Sequence, residues 1–85
     1  MIEIPIDFDE LLPFNRITAL KIVDVADNFK AQCLVRSQRG EINIKSILGV
    51  MSLKPDNGNH LFISGIDERE ASEALLALFN NLKNA

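Results

Sequence analysis

The sequence predicts an α+β sandwich with the element order βαββαβα. Three observations carry that prediction. The chain opens on a strict two-residue alternation, "IEIPIDF" at 2–8, the mark of a half-buried strand. A second alternating stretch, "AQCLVRSQRGEINI", is broken by Arg39-Gly40 and reads as a hairpin. Three further segments, near 16–27, 46–53 and 67–82, carry apolar residues at helical spacing. Helices covering one face of a mostly antiparallel sheet are the layer arrangement that such an order produces.

In the first strand Ile2, Ile4, Ile6 and Phe8 face one way and Glu3, Pro5 and Asp7 the other. Pro5 has no N–H for a strand ladder, which predicts an edge position. Residues 9–15 read as a loop containing Pro13. The first helix starts at Arg16 with Asn15 as its N-cap. Leu20, Val23 and Ala26, flanked by Ile22 and Phe29, form its expected apolar face; Lys21, Asp24 and Asp27 form its wet one. After the hairpin, a short helix begins at Ser46 and ends at Lys54-Pro55. "DNGN" is a loop and "HLFISGI" the last strand. Asp67 with Glu70 resembles a capping box for the final helix, whose stripe is Ala71, Ala74, Leu75, Leu78 and Leu82.

At 85 residues the chain is read as one domain, 1–85, with a single two-layer core. A domain this small buries only about 60–65% of its unfolded surface, so modest stability is expected. Its 47% hydrophobic and 25% charged content is that of an ordinary globular protein. A net charge of −3, with basic residues scattered, argues against nucleic acid or anionic membrane as a direct partner. The acidic, proline-interrupted N-terminus does not resemble a signal peptide, and no apolar run reaches membrane-spanning length. A cytoplasmic location is expected. The one cysteine, Cys33, lies in an alternating apolar run and reads as a small core residue.

No catalytic constellation is visible. His60 is the only histidine and reads as a loop-end or strand-start residue; one histidine does not make a metal site. Asp7/Asp9 and Glu68/Glu70 suit a strand end and a helix first turn. The four glycines, 40, 49, 58 and 65, are isolated, so there is no phosphate-binding glycine loop. Cofactor, metal and enzymatic activity are therefore all expected to be absent.

The stretch "NIKSILGVMSL", Asn43 to Leu53, together with the element order, resembles HPr, the histidine-containing phosphocarrier family of the bacterial sugar phosphotransferase system. The family pattern there reads close to N-x-K-S-[IL]-[ML]-G-[VL]-M-S-L, and the likeness covers essentially the whole chain. It implies a four-stranded antiparallel sheet, with the first strand at an edge and three helices on one face. A second family signature, G-[LI]-H-A-R-P, is not kept. Its histidine, which accepts the phosphoryl group, falls on Asn15, its arginine on Ile17, its proline on Thr18 and its glycine on Pro13. A carboxamide has no nucleophilic ring nitrogen, so the resemblance implies a chain that is not a phosphohistidine carrier. The catabolite-repression HPr paralogue likewise lacks that histidine.

Ser46 has two readings. Serine is a favoured N-cap, and capping alone explains it. The resemblance adds a second role: in Gram-positive relatives the serine of this motif is phosphorylated by HPr kinase/phosphorylase, and the product acts with a catabolite control transcription regulator. On a two-turn helix Ile47, Leu48, Val50, Met51 and Leu53 cannot all face inward, so some form an exposed patch. The resemblance implies that Ile47, Leu48 and Met51 are that patch, beside Lys45 and Ser46. The family arginine that helps bind phosphoserine falls on Ile17, a departure from the pattern, and the adjacent Arg16 is read as its substitute. A monomer or weak dimer is expected. The alternative is an HPr-fold interaction module with another partner, in which Ser46 is only a cap.

Overall fold

The computed structural model describes residues 1–8, 11, 14–54 and 58–84. The expectations for Asp9, Pro13, Pro55 and the Asp56-Asn57 part of the loop lie outside these. The elements are β1 (Ile2–Pro5), α1 (Arg16–Asp27), β2 (Gln32–Ser37), β3 (Gly40–Asn43), α2 (Ile47–Met51), β4 (His60–Ser64) and α3 (Glu68–Asn84). One four-stranded sheet has the order β1-β4-β2-β3, antiparallel at every pairing. This is the open-faced sandwich that the sequence implied.

The register explains the alternation. Ile2 pairs with Ile63 and Ile63 with Cys33; Ile4 pairs with Leu61 and Leu61 with Val35. These side chains form the helix-covered face, on which Cys33, Val35, Leu61 and Ile63 are fully buried. The intervening rows, Glu3–Phe62–Leu34 and Pro5–His60–Arg36, belong to the open face. Phe62 is only 6% exposed there because the Arg36 guanidinium lies 4.0 Å above its ring, held in turn by Glu41. A cation over an aromatic face is attracted by the ring quadrupole, and the arginine stem shields apolar surface.

β1 is an edge strand, as Pro5 required, but it stops at Pro5 instead of continuing to residue 8. Ile6 then donates its N–H to the Asn59 carbonyl at 3.0 Å. Phe8 turns inward and meets Phe14 and Phe79 edge-to-face, with ring centroids 5.7 and 5.1 Å away. This cluster joins the end of the first strand, the approach to α1 and the last helix. Edge-to-face pairs of this kind add about 0.5–1.5 kcal/mol each beyond area burial.

Several local expectations are corrected. α1 buries Ala19, Ile22 and Ala26 and leaves Leu20 exposed. Two alanines allow close approach of α1 to α2 and α3, and Leu20 lies about 100° around the helix from Ala19. α3 buries Ala71, Ser72, Leu75 and Phe79, with Ala74, Leu78 and Leu82 at its margin, and continues to Asn84. In the hairpin Ser37 pairs with Gly40, so the turn residues are Gln38 and Arg39. Neither has a positive φ, and the left-handed demand falls on Gly40 at φ +123°.

The expected capping box is also replaced. The Asp67 carboxylate accepts from the backbone N–H groups of Lys30 and Ala31, 2.8 Å each, fastening the start of α3 to the start of β2. The Gly65 N–H is taken by Glu68 Oε1 at 3.2 Å. The Lys30 N–H bond, helped by the Ala31 N–H, holds the Asp67 carboxyl below the usual aspartate range against a smaller opposing effect of desolvation. Gly65 itself, at φ +156°, closes β4 where a Cβ would sit 2.6 Å from Ala31 Cα.

Gly65→Ala therefore combines backbone strain with a backbone clash. We expect a loss of at least about 2 kcal/mol, which for this chain length lowers the thermal midpoint by about 8–16 °C, read by calorimetry. For Asp67 the depressed folded pKa sets the sign of a pH effect. The stabilisation is present above the unfolded aspartate value of about 3.9 and is lost as pH falls through the lower folded value. In acid-unfolding curves followed by circular dichroism, Asp67→Asn should lose stability near neutrality and flatten the decline below about pH 4.

Candidate functional site

α1 begins where Asn15 leaves the extended backbone, at φ −75° and ψ 171°. Its side-chain oxygen accepts from the Thr18 N–H at 2.8 Å, and its carbonyl accepts from the Ala19 N–H at 2.9 Å. Phe14, immediately before the cap, is buried against Phe8. Asn15 is exposed, and its amide NH₂ is a donor group. Arg16 and Ile17 are exposed beside it, Ile17 at 69%.

The second part of the site is built from the stretch 43–53. The Asn43 side chain accepts from the Lys45 N–H at 2.9 Å and its carbonyl from the Ser46 N–H at 3.0 Å, turning the chain out of β3. Ser46, at φ −105° and ψ 119°, caps α2: its hydroxyl oxygen accepts from the Gly49 N–H at 3.3 Å, and its carbonyl from the Val50 N–H at 2.9 Å. A Cβ on Gly49 would lie 3.1 Å from the Asn43 carbonyl oxygen, so glycine lets the short helix settle against that turn. The sequence reading gave neither Asn43 nor Gly49 a role; their spacing from Ser46 was the available signal.

Val50 and Leu53 are buried, and Ile47 is half-buried against the core. Leu48, 77% exposed, and Met51 remain outside. α1 packs on α2, so the exposed Ile17 and Leu20 of the one helix and Leu48 and Met51 of the other belong to adjoining elements. Ile17 and Leu20 were missed as surface residues because Leu20 fitted an apolar stripe equally well.

Lys45, expected as a partner-binding residue beside the patch, is half-buried. Its ammonium donates to the Phe29 carbonyl oxygen at 2.6 Å, just beyond the end of α1. Its charge also partly offsets the burial that pushes the Cys33 thiol up, while Asp67 adds to that rise. Cys33 is a fully buried core residue, its Sγ 3.6 Å from the Ala31 carbonyl oxygen. His60 Nδ1 lies 3.3 Å from Glu3 Oε2, within ion-pair range but off hydrogen-bond geometry. Glu68 is bonded to the Met1 amino group and to the Gly65 N–H, in that order of effect, and both hold its carboxyl below the ordinary glutamate range. Among the described residues no group of three potential metal ligands occurs, and no helix is long and apolar enough to cross a membrane.

Residues 17–81 match the family described as the PTS HPr component phosphorylation site. The chain is 33% identical over 66 residues to the phosphocarrier protein NPr of Proteus mirabilis (strain HI4320), spanning 74% of this chain and 73% of that protein. It is 38% identical over 61 residues to the HPr-like protein Crh of Halalkalibacterium halodurans, spanning 69% and 73%. Among solved structures, HPr-C-His from Thermoanaerobacter tengcongensis superposes with a TM-score of 0.83 at 31% identity, covering 100% of this chain and 98% of that one.

The two caps differ in geometry, and their removal should differ in effect. Asn15→Ala, losing a 2.8 Å bond, should cost about 1 kcal/mol, and Ser46→Ala, losing a 3.3 Å bond on a five-residue helix, about 0.5 kcal/mol. Both should lower the urea midpoint with the slope unchanged.

Proposed function

The chain belongs to the HPr family, and from that membership we propose a regulatory role exercised through protein–protein contacts instead of phosphohistidine transfer. The single observation behind it is the chemistry of Asn15, which we align with the family's phosphoacceptor histidine. Its carboxamide oxygen already caps α1, and its NH₂ lone pair is delocalised, so that position offers no nucleophile for a phosphoryl group. Residues 1–85 act as one HPr-like domain.

Ser46 is the proposed regulatory acceptor. HPr kinase/phosphorylase would transfer the γ-phosphoryl group of ATP to Ser46 Oγ; the bond to ADP breaks and the hydroxyl proton passes to the kinase. Exposure of Ser46 supports access. The product carries roughly −1.5 to −2 charge beside the unpaired N–H groups of the first turn of α2, where an anion is favoured. Leu48 and Met51, with Ile47 at their edge, are the proposed docking surface, and Arg16 the proposed basic contact. The partners are that kinase and a catabolite control transcription regulator, in the cytoplasm, with no direct contact to nucleic acid or membrane. The chain acts as a monomer or weak dimer. Its similarity to the HPr-like protein Crh supports this reading.

Lys45 favours a second reading. Its ammonium is bonded inward to Phe29, so the Lys45-Ser46 pair has a purely structural use: to close the turn and cap α2. The chain is then an HPr-fold interaction module with another partner.

Intact mass after incubation with ATP and HPr kinase/phosphorylase separates the two. The regulatory reading expects one added phosphate, absent from Ser46→Ala. An unchanged mass, under conditions that phosphorylate an ordinary HPr, rejects it in favour of the interaction module.

A further inference from the structure

Two cavities among the described residues lie away from Asn15, Leu48 and Met51, and one of them is lined in part by Asn59. This one sits between the β2–β3 turn and the segments that leave α2 and enter β4, with a volume of about 170 Å³. A cavity of about 150 Å³ accommodates a benzene-sized molecule, so this one is sized for a small organic or inorganic ligand. Its polar lining comes from Ser37, Arg39, Glu41, Ser52, Lys54 and Asn59.

Asn59 is the decisive group. It is 3% exposed, and among the described residues neither its amide nitrogen nor its amide oxygen has a hydrogen-bond partner. Buried carboxamides are nearly always satisfied, and an orphaned one at a cavity wall calls for a partner inside the cavity. Such a partner must supply an acceptor for the NH₂ and a donor for the C=O.

The surrounding charges narrow its chemistry. Arg39 and Lys54 have no ion-pair partner among the described residues, whereas the Glu41 carboxylate is held by Arg36. The cavity therefore presents two available cations and a neutralised anion. Ser37 Oγ accepts from the Arg39 N–H at 3.1 Å, leaving its O–H to donate. Ser52 donates its O–H to the Gly49 carbonyl at 2.7 Å, leaving its oxygen to accept. We propose that this cavity binds a small oxyanion that itself carries an O–H or N–H donor, of the hydrogenphosphate or small phosphomonoester class. Arg39 and Lys54 hold its charge, Ser37 and the Asn59 NH₂ donate to its oxygens, and the Asn59 carbonyl and Ser52 accept from its protonated group.

The test is a titration of ¹⁵N-labelled, unphosphorylated full chain, followed by amide NMR at constant ionic strength. Inorganic phosphate, glycerol phosphate and sulfate are compared. Saturable shifts confined to Ser37, Arg39, Ser52 and Asn59, including the Asn59 side-chain NH₂, are expected with phosphate but not with sulfate, which has no donor at neutral pH. Tighter saturation by glycerol phosphate identifies the ligand as a phosphomonoester; equal or weaker saturation identifies it as free phosphate. The double variant Arg39→Gln, Lys54→Gln, altered at two exposed positions, should keep its thermal midpoint and bind about tenfold or more weakly. Shifts that rise linearly without saturation, a sulfate response equal to that of phosphate, or an unaltered affinity in the double variant would overturn the proposal.

Discussion

The carboxylate of Asp67 reaches the backbone N–H groups of Lys30 and Ala31, and much of the architecture is referred to that short segment. Ala31 also takes the close approach of Gly65, where the last strand ends. One residue before Lys30, the Phe29 carbonyl receives the Lys45 ammonium. The exits from α1, β3 and β4 are thus tied to three consecutive residues. Each bond involves a charged group and a backbone dipole, and such bonds are shorter and stronger than neutral ones. The apolar core fixes which faces meet; these polar ties fix where the end of α1, the exit from β3 and the start of α3 come together.

That division of labour bears on the helix that carries Ser46. α2 has only five residues and is too short to persist by its own hydrogen bonds. It exists because Asn43 turns the chain, Gly49 settles on that turn, and Val50 and Leu53 anchor it in the core. Ile47 stays half-buried against the core, and Leu48 and Met51 have nowhere to go but outward. Leu48 and Met51 are exposed as a geometric remainder of anchoring so short an element.

Legibility in the sequence followed the range of the interaction. The faces of β1 and β2 were readable because their buried residues alternate, whereas β4 buries Leu61, Phe62 and Ile63 in a row. Asn15 and Ser46 were readable as caps because capping is a contact within three residues. Leu20 and Phe79 were misassigned or overlooked. α1 has two apolar stripes that local spacing ranks alike, and the tight meeting of α1 with its neighbours selects the one bearing Ala19 and Ala26. Phe79 is buried by its ring contact with Phe8, far off in the chain. Asp67 looked like the first residue of a capping box, but two backbone donors more than thirty residues away claim it. In the candidate site, helix length showed only that some apolar residues of α2 must be exposed. The resemblance named Ile47, Leu48 and Met51, of which Leu48 and Met51 are exposed and Ile47 is half-buried, and the inward bond of Lys45 depends on where α1 ends.

The sheet is not equally secure across its width. β2 and β4 are each bonded on both sides, whereas β1 has β4 alone and ends at a proline. Opening β1 breaks a single ladder of four paired positions; opening β4 breaks two and uncovers Leu61 and Ile63. Local opening in folded proteins follows such differences in buried contact. Backbone amides of the first strand should therefore trade their protons with solvent well before those at the centre of the sheet, giving the molecule a graded rather than uniform resistance to opening.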